Sequence, residues 1–402
     1  MTDKIIRGAG GPPPTPPPPY RAPDTLNSRQ FASIQDLLSE GEIEGFATPS
    51  KAGLSKGSTA YNNAALKDIF LNGTPILNAS ASNTNPQTAD FNFQNVGFTP
   101  RFGTSNQTHV PGIEGSQSTT AVGVTVTNSS PVTRQITNTA VDAAKITITF
   151  PQLQKATDEG DLLGSSVNLK IQVQYNSGGF TDVINDTITG RTADAYQKEY
   201  RISFTGSFPV DIRVVRVTAD SSSTQLVDAF TWTSISEIVD DKQTYPNSAY
   251  TNLRIDSEQF SSIPKRAFRI RGVKVRIPGA GASSSGTPTV DLQTGRIIYP
   301  SGYIFNGTMG AAQWCSCPAL ILLDLLTTER YGFGTHITDS NLDLFSFIAA
   351  SKYANELVND GFGGQEARFS CNVNIQGSTE AFTLINELAG VMRCFPIWSE
   401  GS

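Results

Sequence analysis

Residues 168–175, NLKIQVQY, put Leu169, Ile171, Val173 and Tyr175 on one face of an extended chain and polar side chains on the other. A helix would scatter these four around its circumference, because its side chains repeat every ~3.6 residues and a strand's every two. This alternation constrains the fold more than any other feature, and it recurs. KITITF at 145–150, RISFTGSF at 201–208 and VDIRVVRV at 210–217 repeat it, and NSGG at 176–179 supplies a hairpin turn. Strands at this spacing, with turn signals between them, predict an Ig-like antiparallel β-sandwich over 90–235.

The flanks differ. Residues 12–19 hold seven prolines, so 1–25 reads as an extended Pro-rich arm, a spacer or an SH3-type ligand, outside any core. Residues 26–89 form a first segment. Asp24 and Ser28 offer helix starts, and Phe31, Ile34, Leu37 and Leu38 fall at helical spacing, which predicts a helix ending at Gly41. KDIFLNGTPIL at 67–77 reads as strand, Asn-Gly turn, strand. Residues 236–310 form a β segment with a basic stretch, KRAFRIRGVKVR, at 265–276.

Residues 311–402 change to α+β. Pro318 suits the first turn of a helix running to about Arg330, and Asp339 or Ser340 can cap a second helix to about Val358. FSCNVNI at 369–375 alternates as a strand, Ser378 or Thr379 can cap a third helix, and CFPIW at 394–398 reads as a strand. The closing SEGS reads as a turn with no returning strand, which predicts that the natural protein continues.

Charge narrows the function. The chain of 402 residues has a net charge of −6 and only 16% charged residues, against about 25% in ordinary domains. That excludes a surface built to coat nucleic acid. The four cysteines lie at 315, 317, 371 and 394, and C-x-C is not the C-x-x-C of a zinc or redox motif. With two histidines, buried free thiols are the ordinary reading beside a Cys/His metal site. The N-terminus lacks an apolar signal core, and the longest apolar run, ALILLDLL at 319–326, falls short of the ~20 residues of a membrane span. Synthesis in a cytoplasm is expected.

No catalytic, metal or cofactor set is expected. The chain has no nucleophile elbow, P-loop, H-E-x-x-H or calcium loop. GFGG at 361–364 has the composition of a phosphate cradle, but it precedes a strand and reads as a turn. Glu42 and Glu44 in LSEGEIEGF could form a glycosidase pair, yet alternation with Gly41 and Gly45 suits a structural turn. The basic stretch puts Lys265, Arg269 and Arg271 on one face and Arg266, Lys274 and Arg276 on the other. It is either an ion-paired strand or a stripe for acidic partners, and Glu42 and Glu44 of a neighbouring subunit are candidates to meet it. Trp232, Trp314 and Trp398 sit inside predicted elements and read as core, not as a carbohydrate-binding stripe.

Several segments together resemble one family. DLLSEGEIEG, KDIFLNGTPIL, IRVVRVTADSSSTQL, WTSISEIVD, QTYPNSA, DSEQF, LTTERYGFG, VNDGFGGQEARFSCN and MRCFPIW occur, in this order, in a pattern similar to the N-terminal part of the tip attachment (host specificity) proteins J of lambda-like siphophages. The Pro-rich arm, the stretch 47–66 and the Gly/Ser loop 279–290 depart from that pattern. The resemblance implies tail-hub domains of β-barrel type with the sandwich inserted between them. It also implies a homotrimeric baseplate hub that closes the tail tube and opens for genome ejection. Its partners would be other tail tip proteins, the distal tube and the tape measure protein. A host receptor would be met through C-terminal sequence, and viral DNA would pass without sequence-specific binding. The competing readings are a carbohydrate-binding adhesive sandwich and a glycosidase using Glu42 and Glu44.

Overall fold

The computed structural model describes residues 18–260, 262–377 and 380–397. The proline run as far as residue 17, the expected caps at Ser378 and Thr379, and Trp398 with the closing SEGS lie outside them. The fold is mainly antiparallel β. Two compact units emerge, one from residues up to 29 with 111–241, the other from 30–110 with 242 onward.

The first unit is a sandwich of two four-stranded sheets. One orders its strands Thr181–Gly190, Ser165–Tyr175, Val210–Arg216 and Val132–Ile136; the other orders Tyr196–Ser203, Ala143–Phe150, Thr231–Asp240 and Glu114–Thr125. Register follows the alternation. Ile171 lies opposite Val214, and Ile146 opposite Ile235. Val167, Leu169, Ile171 and Val173 therefore meet Ala144, Ile146, Ile148, Phe150 and Trp232 in one core. Each such side chain contributes about 1.5–3 kcal/mol by leaving water. Arg216, 2% exposed, is among the largest fully buried side chains. Its guanidinium donates to Asp228 Oδ2 at 2.7 Å and to the Asp228 and Thr218 carbonyls.

The end of the arm lies along this unit. Asp24 pairs with Arg191 at 2.6 Å, and Ser28 Oγ accepts the Gln197 N–H at 2.9 Å. Neither starts a helix. The expected helix after them is instead the strand Phe31–Glu40, paired with Ser248–Asp256 in the second unit. Strand pairing wins because helical spacing there was coincidental. Phe31 and Leu37 face outward, while Ala32, Ile34 and Leu38 pack inward.

The second unit is assembled from short sheets and, among the described residues, five α-helices: α1 (Ala47–Lys51), α2 (Thr59–Ala65), α3 (Pro318–Thr327), α4 (Leu344–Ala354) and α5 (Ala381–Val391). Ile69–Leu71 and Thr74–Pro75 form the expected hairpin, with Asn72 and Gly73 both at positive φ. Pro318 opens α3 as expected. Asp343 caps α4, accepting the Phe345 and Ser346 N–H groups. Asp339 and Ser340, the expected caps, lie in a separate 3₁₀ turn capped by Thr338. Leu320, Leu323 and Leu326 of α3 pack with Ile348 of α4 and with Ile385 and Leu388 of α5. Cys315, Cys317 and Cys371 are buried free thiols in this cluster, but Cys394 is exposed, contrary to expectation. Residues 369–375 and 394–397 form no strand.

Candidate functional site

The segment Glu40–Phe46 crosses the second unit where four distant parts of the chain meet. Its glycines are required there. Gly41 sits at φ +92°, and a β-carbon on it would lie 2.9 Å from the Tyr331 ring. Gly45 sits at φ +130°, and a β-carbon there would lie 2.2 Å from the Tyr61 hydroxyl. That hydroxyl accepts the Phe46 N–H at 3.0 Å. Burial pushes the Tyr61 phenol up to about 12, so it stays neutral. Glycine thus lets two tyrosines close on the backbone, and the strand Ile43–Phe46 pairs with Ile270–Val273.

Glu40 and Glu42 are tied within the chain. Glu40 Oε2 accepts from Arg330 at 2.6 Å, and Arg330 also donates to Ser248 Oγ at 2.8 Å. Glu42 pairs with the Lys274 ammonium, and the Lys274 N–H donates to the Glu42 carbonyl at 2.9 Å. Glu44 lies in the field of Lys56 and Arg271. Lys56 donates to the Ile43 carbonyl at 3.2 Å; burial first, then Lys274, lowers its pKa.

Four of the six cations in the basic stretch, Arg266, Arg269, Lys274 and Arg276, are ion-paired within the chain. The stretch is not one strand but three, Arg266–Phe268, Ile270–Val273 and Val275–Pro278. Arg266 makes two bonds to Asp36, at 2.6 and 2.8 Å. Arg269 reaches Asp68, a fully buried carboxylate that also accepts the Thr48 N–H and hydroxyl. Arg271 is buried, donates to the Leu292 carbonyl and stacks 4.3 Å from the Trp314 ring. Arg276 grips both oxygens of Asp339 at 2.7 Å. Lys265 alone of the six keeps an exposed side chain with no ion pair among the described residues. The expected solvated or paired strand is therefore three short strands, paired at four of the six cations and solvated at Lys265. The partners Asp36, Asp68 and Asp339 had no sequence signal, since they lie 230, 201 and 63 residues from their arginines.

GFGG forms the turn of a hairpin between Leu357–Asn359 and Gln365–Ala367. No group of histidine, cysteine or acidic side chains that could hold a metal occurs among the described residues. Burial pushes the Cys315 thiol up to about 12, which removes it as a nucleophile near neutral pH.

Residues 116–241 match the family model described as the FNIII-A domain of tip attachment protein J. Over 395 residues, 98% of its length, the chain is 31% identical to a tip attachment protein J of Escherichia phage SECphi4 and covers 32% of that protein. It is 29% identical over 336 residues to the tip attachment protein J of Escherichia phage SECphi27, covering 83% of this chain and 26% of that protein. The chain thus spans a third or less of the length of these relatives. Among solved structures, a CBM22-1 xylan-binding domain from Paenibacillus barcinonensis Xyn10C aligns at 8% identity and a TM-score of 0.19, covering 36% of this chain and 87% of that one. A likeness that slight carries no argument.

Proposed function

We propose that the chain, a relative of tip attachment protein J along nearly its whole length, is a structural component of a phage tail tip. The observation that carries this reading is the match over 98% of the chain. The site geometry agrees with it. Glu42, the first half of the candidate carboxylate pair, is neutralised by Lys274, and the surrounding charges hold strands together. The role is structural, without turnover.

In the finer reading, three copies form a baseplate hub that closes the tail tube and anchors the receptor-binding fibre. The hub takes part in host attachment and genome ejection. Its neighbours are the distal tube, other tip proteins and the tape measure protein. The host surface is met by sequence that the longer relatives carry beyond the matched part. The chain is made in the host cytoplasm and ends in the virion. A net charge of −6 suits a wall past which DNA slides, since few phosphates would find cations to displace their counterions.

Of the six residues considered for contacts between subunits, Arg266, Arg269, Arg271 and Glu42 are engaged inside their own chain. Glu44 and Lys265 remain for a neighbour. Single charge reversals at either would weaken assembly and the double reversal restore it; a double reversal that restores nothing removes this pairing.

Cryo-electron microscopy of the particle carrying this chain tests the function. Three-fold density at the end of a tail tube, into which both units can be built, establishes the hub. A tip without this chain, or glycan hydrolysis lost on Glu42→Gln, overturns it.

A further inference from the structure

The hairpin Leu357–Asn359 to Gln365–Ala367 carries an aromatic side chain at its apex, where it touches nothing of its own chain. Phe362 is 97% exposed. Yet the turn is tightly held. Asp360 Oδ1 accepts the N–H groups of Phe362 at 2.8 Å and Gly364 at 2.9 Å, and the Asp360 N–H donates to the Gly364 carbonyl at 3.2 Å. The base is fixed as well. Arg368 pairs with Glu356 at 2.7 Å and stacks 4.4 Å from the Tyr353 ring. A phenyl ring left in water forgoes the free energy of burial. Carried on a fixed turn, it can give much of that to a partner, with little backbone ordering entropy to lose.

The same unit presents a cleft of about 420 Å³ whose lining includes Tyr299, Pro300, Tyr303, Arg296 and Lys352. The two tyrosine rings lie 5.4 Å apart. Lys352 donates to the Tyr303 carbonyl at 2.6 Å and stands 5.1 Å from its ring. Arg296 donates to the Asn355 carbonyl at 3.2 Å. Each cation keeps further donors. The cleft is therefore aromatic inside, with Lys352 and Arg296 at its rim beside Glu356, whose carboxylate Arg368 engages, while the apex is aromatic between two acids, Asp360 and Glu366.

We infer that Phe362 of one copy enters the Tyr299–Pro300–Tyr303 cleft of a second copy, with Asp360 and Glu366 facing Lys352 and Arg296. Knob and cleft are separate patches, so the contact is head-to-tail and continues around a ring or along a filament. The inference rests on the tail-tip reading, which makes that ring one of three.

Sedimentation of the full chain tests it. The unaltered chain associates below about 100 μM, the weak end of specific contacts. Phe362→Ala and Lys352→Glu each weaken association at least about tenfold, as loss of a central anchor does, with the melting temperature of Phe362→Ala unchanged. Mixing the two variants restores association, limited to pairs, because one supplies an intact knob and the other an intact cleft. A photoreactive phenylalanine at 362 cross-links to 296–303 or 352–357 of an isotopically distinct copy. A monomeric unaltered chain, unchanged association in Phe362→Ala, a mixture that stays apart or a cross-link elsewhere each overturns the contact. So does loss of binding to a different tail protein instead. The tail-tip reading fails separately, by absence of the chain from particle tips.

Discussion

Residues 169–175 and 369–375 carry the same alternation and meet different ends. LKIQVQY lies inside the strand Ser165–Tyr175, bonded on both edges, with Leu169, Ile171 and Val173 fully buried. FSCNVNI forms no strand; Cys371 is buried, while Val373 and Ile375 are about half exposed. Alternation states which face is apolar. It does not supply the neighbour that must take the backbone N–H and C=O groups. NSGG delivers that neighbour to the first segment, since Val173 already faces Thr181 across the turn. The second segment leads into α5, and no strand pairs with it among the described residues. Phe395 and Ile397, each 86% exposed, repeat the situation after α5.

Amide hydrogen exchange gives the largest expected contrast. Amides of 169–173 exchange only by opening the sandwich and are slowed at least about five-thousandfold, the least that a folding free energy of about 5 kcal/mol allows. Those of 373 and 375 exchange near the rate of an unstructured peptide. Equal protection would erase the distinction.

Mutation gives the next contrast. Asp228→Ala removes the buried partner of the Arg216 guanidinium, leaving it only the more exposed Asp220 at 3.2 Å, and costs about 3 kcal/mol, the low end for breaking a buried pair. Ile171→Ala removes three buried side-chain carbons from the sandwich core and costs about 2–5 kcal/mol. Ile375→Ala changes stability by no more than about 0.5 kcal/mol, as surface substitutions do. Denaturant unfolding of each variant measures all three. An Ile375→Ala cost as large as that at Ile171 would mean that the second segment is packed after all.

The sandwich was legible because its signal is local. Each strand carries its own period, and turns such as NSGG join neighbours. α3 was legible for the same reason, through Pro318. The strand Phe31–Glu40 was not, because its partner begins at Ser248, far along the chain, and Phe31 and Leu37 imitated a helical face. The candidate site was half legible. Glycine alternating with glutamate signalled a tight backbone, and Tyr61 and Tyr331 are what make it tight. Which acid meets which base could not be read from residues some two hundred positions apart, because ion pairing leaves no periodicity in a single sequence.

The smallest effect separates packing from charge. Arg276 bonds both oxygens of Asp339 and holds that carboxyl below its ordinary range. A carboxyl depressed in the folded state contributes stability above its unfolded value of ~3.9, and loses it as pH falls through the folded value. The pair is 37% and 41% exposed, so the contribution is about 0–1 kcal/mol at neutral pH. Asp339→Asn should therefore trail the unaltered chain slightly at pH 7 and converge with it as acid protonates the carboxyl. Ile171→Ala should keep its deficit at every pH where the sandwich folds, because the contacts it removes are uncharged. Unfolding curves from pH 7 to pH 2 decide this. A deficit in Asp339→Asn that persisted in acid would show that Asp339 acts through shape, as the sandwich core does, and not through its charge.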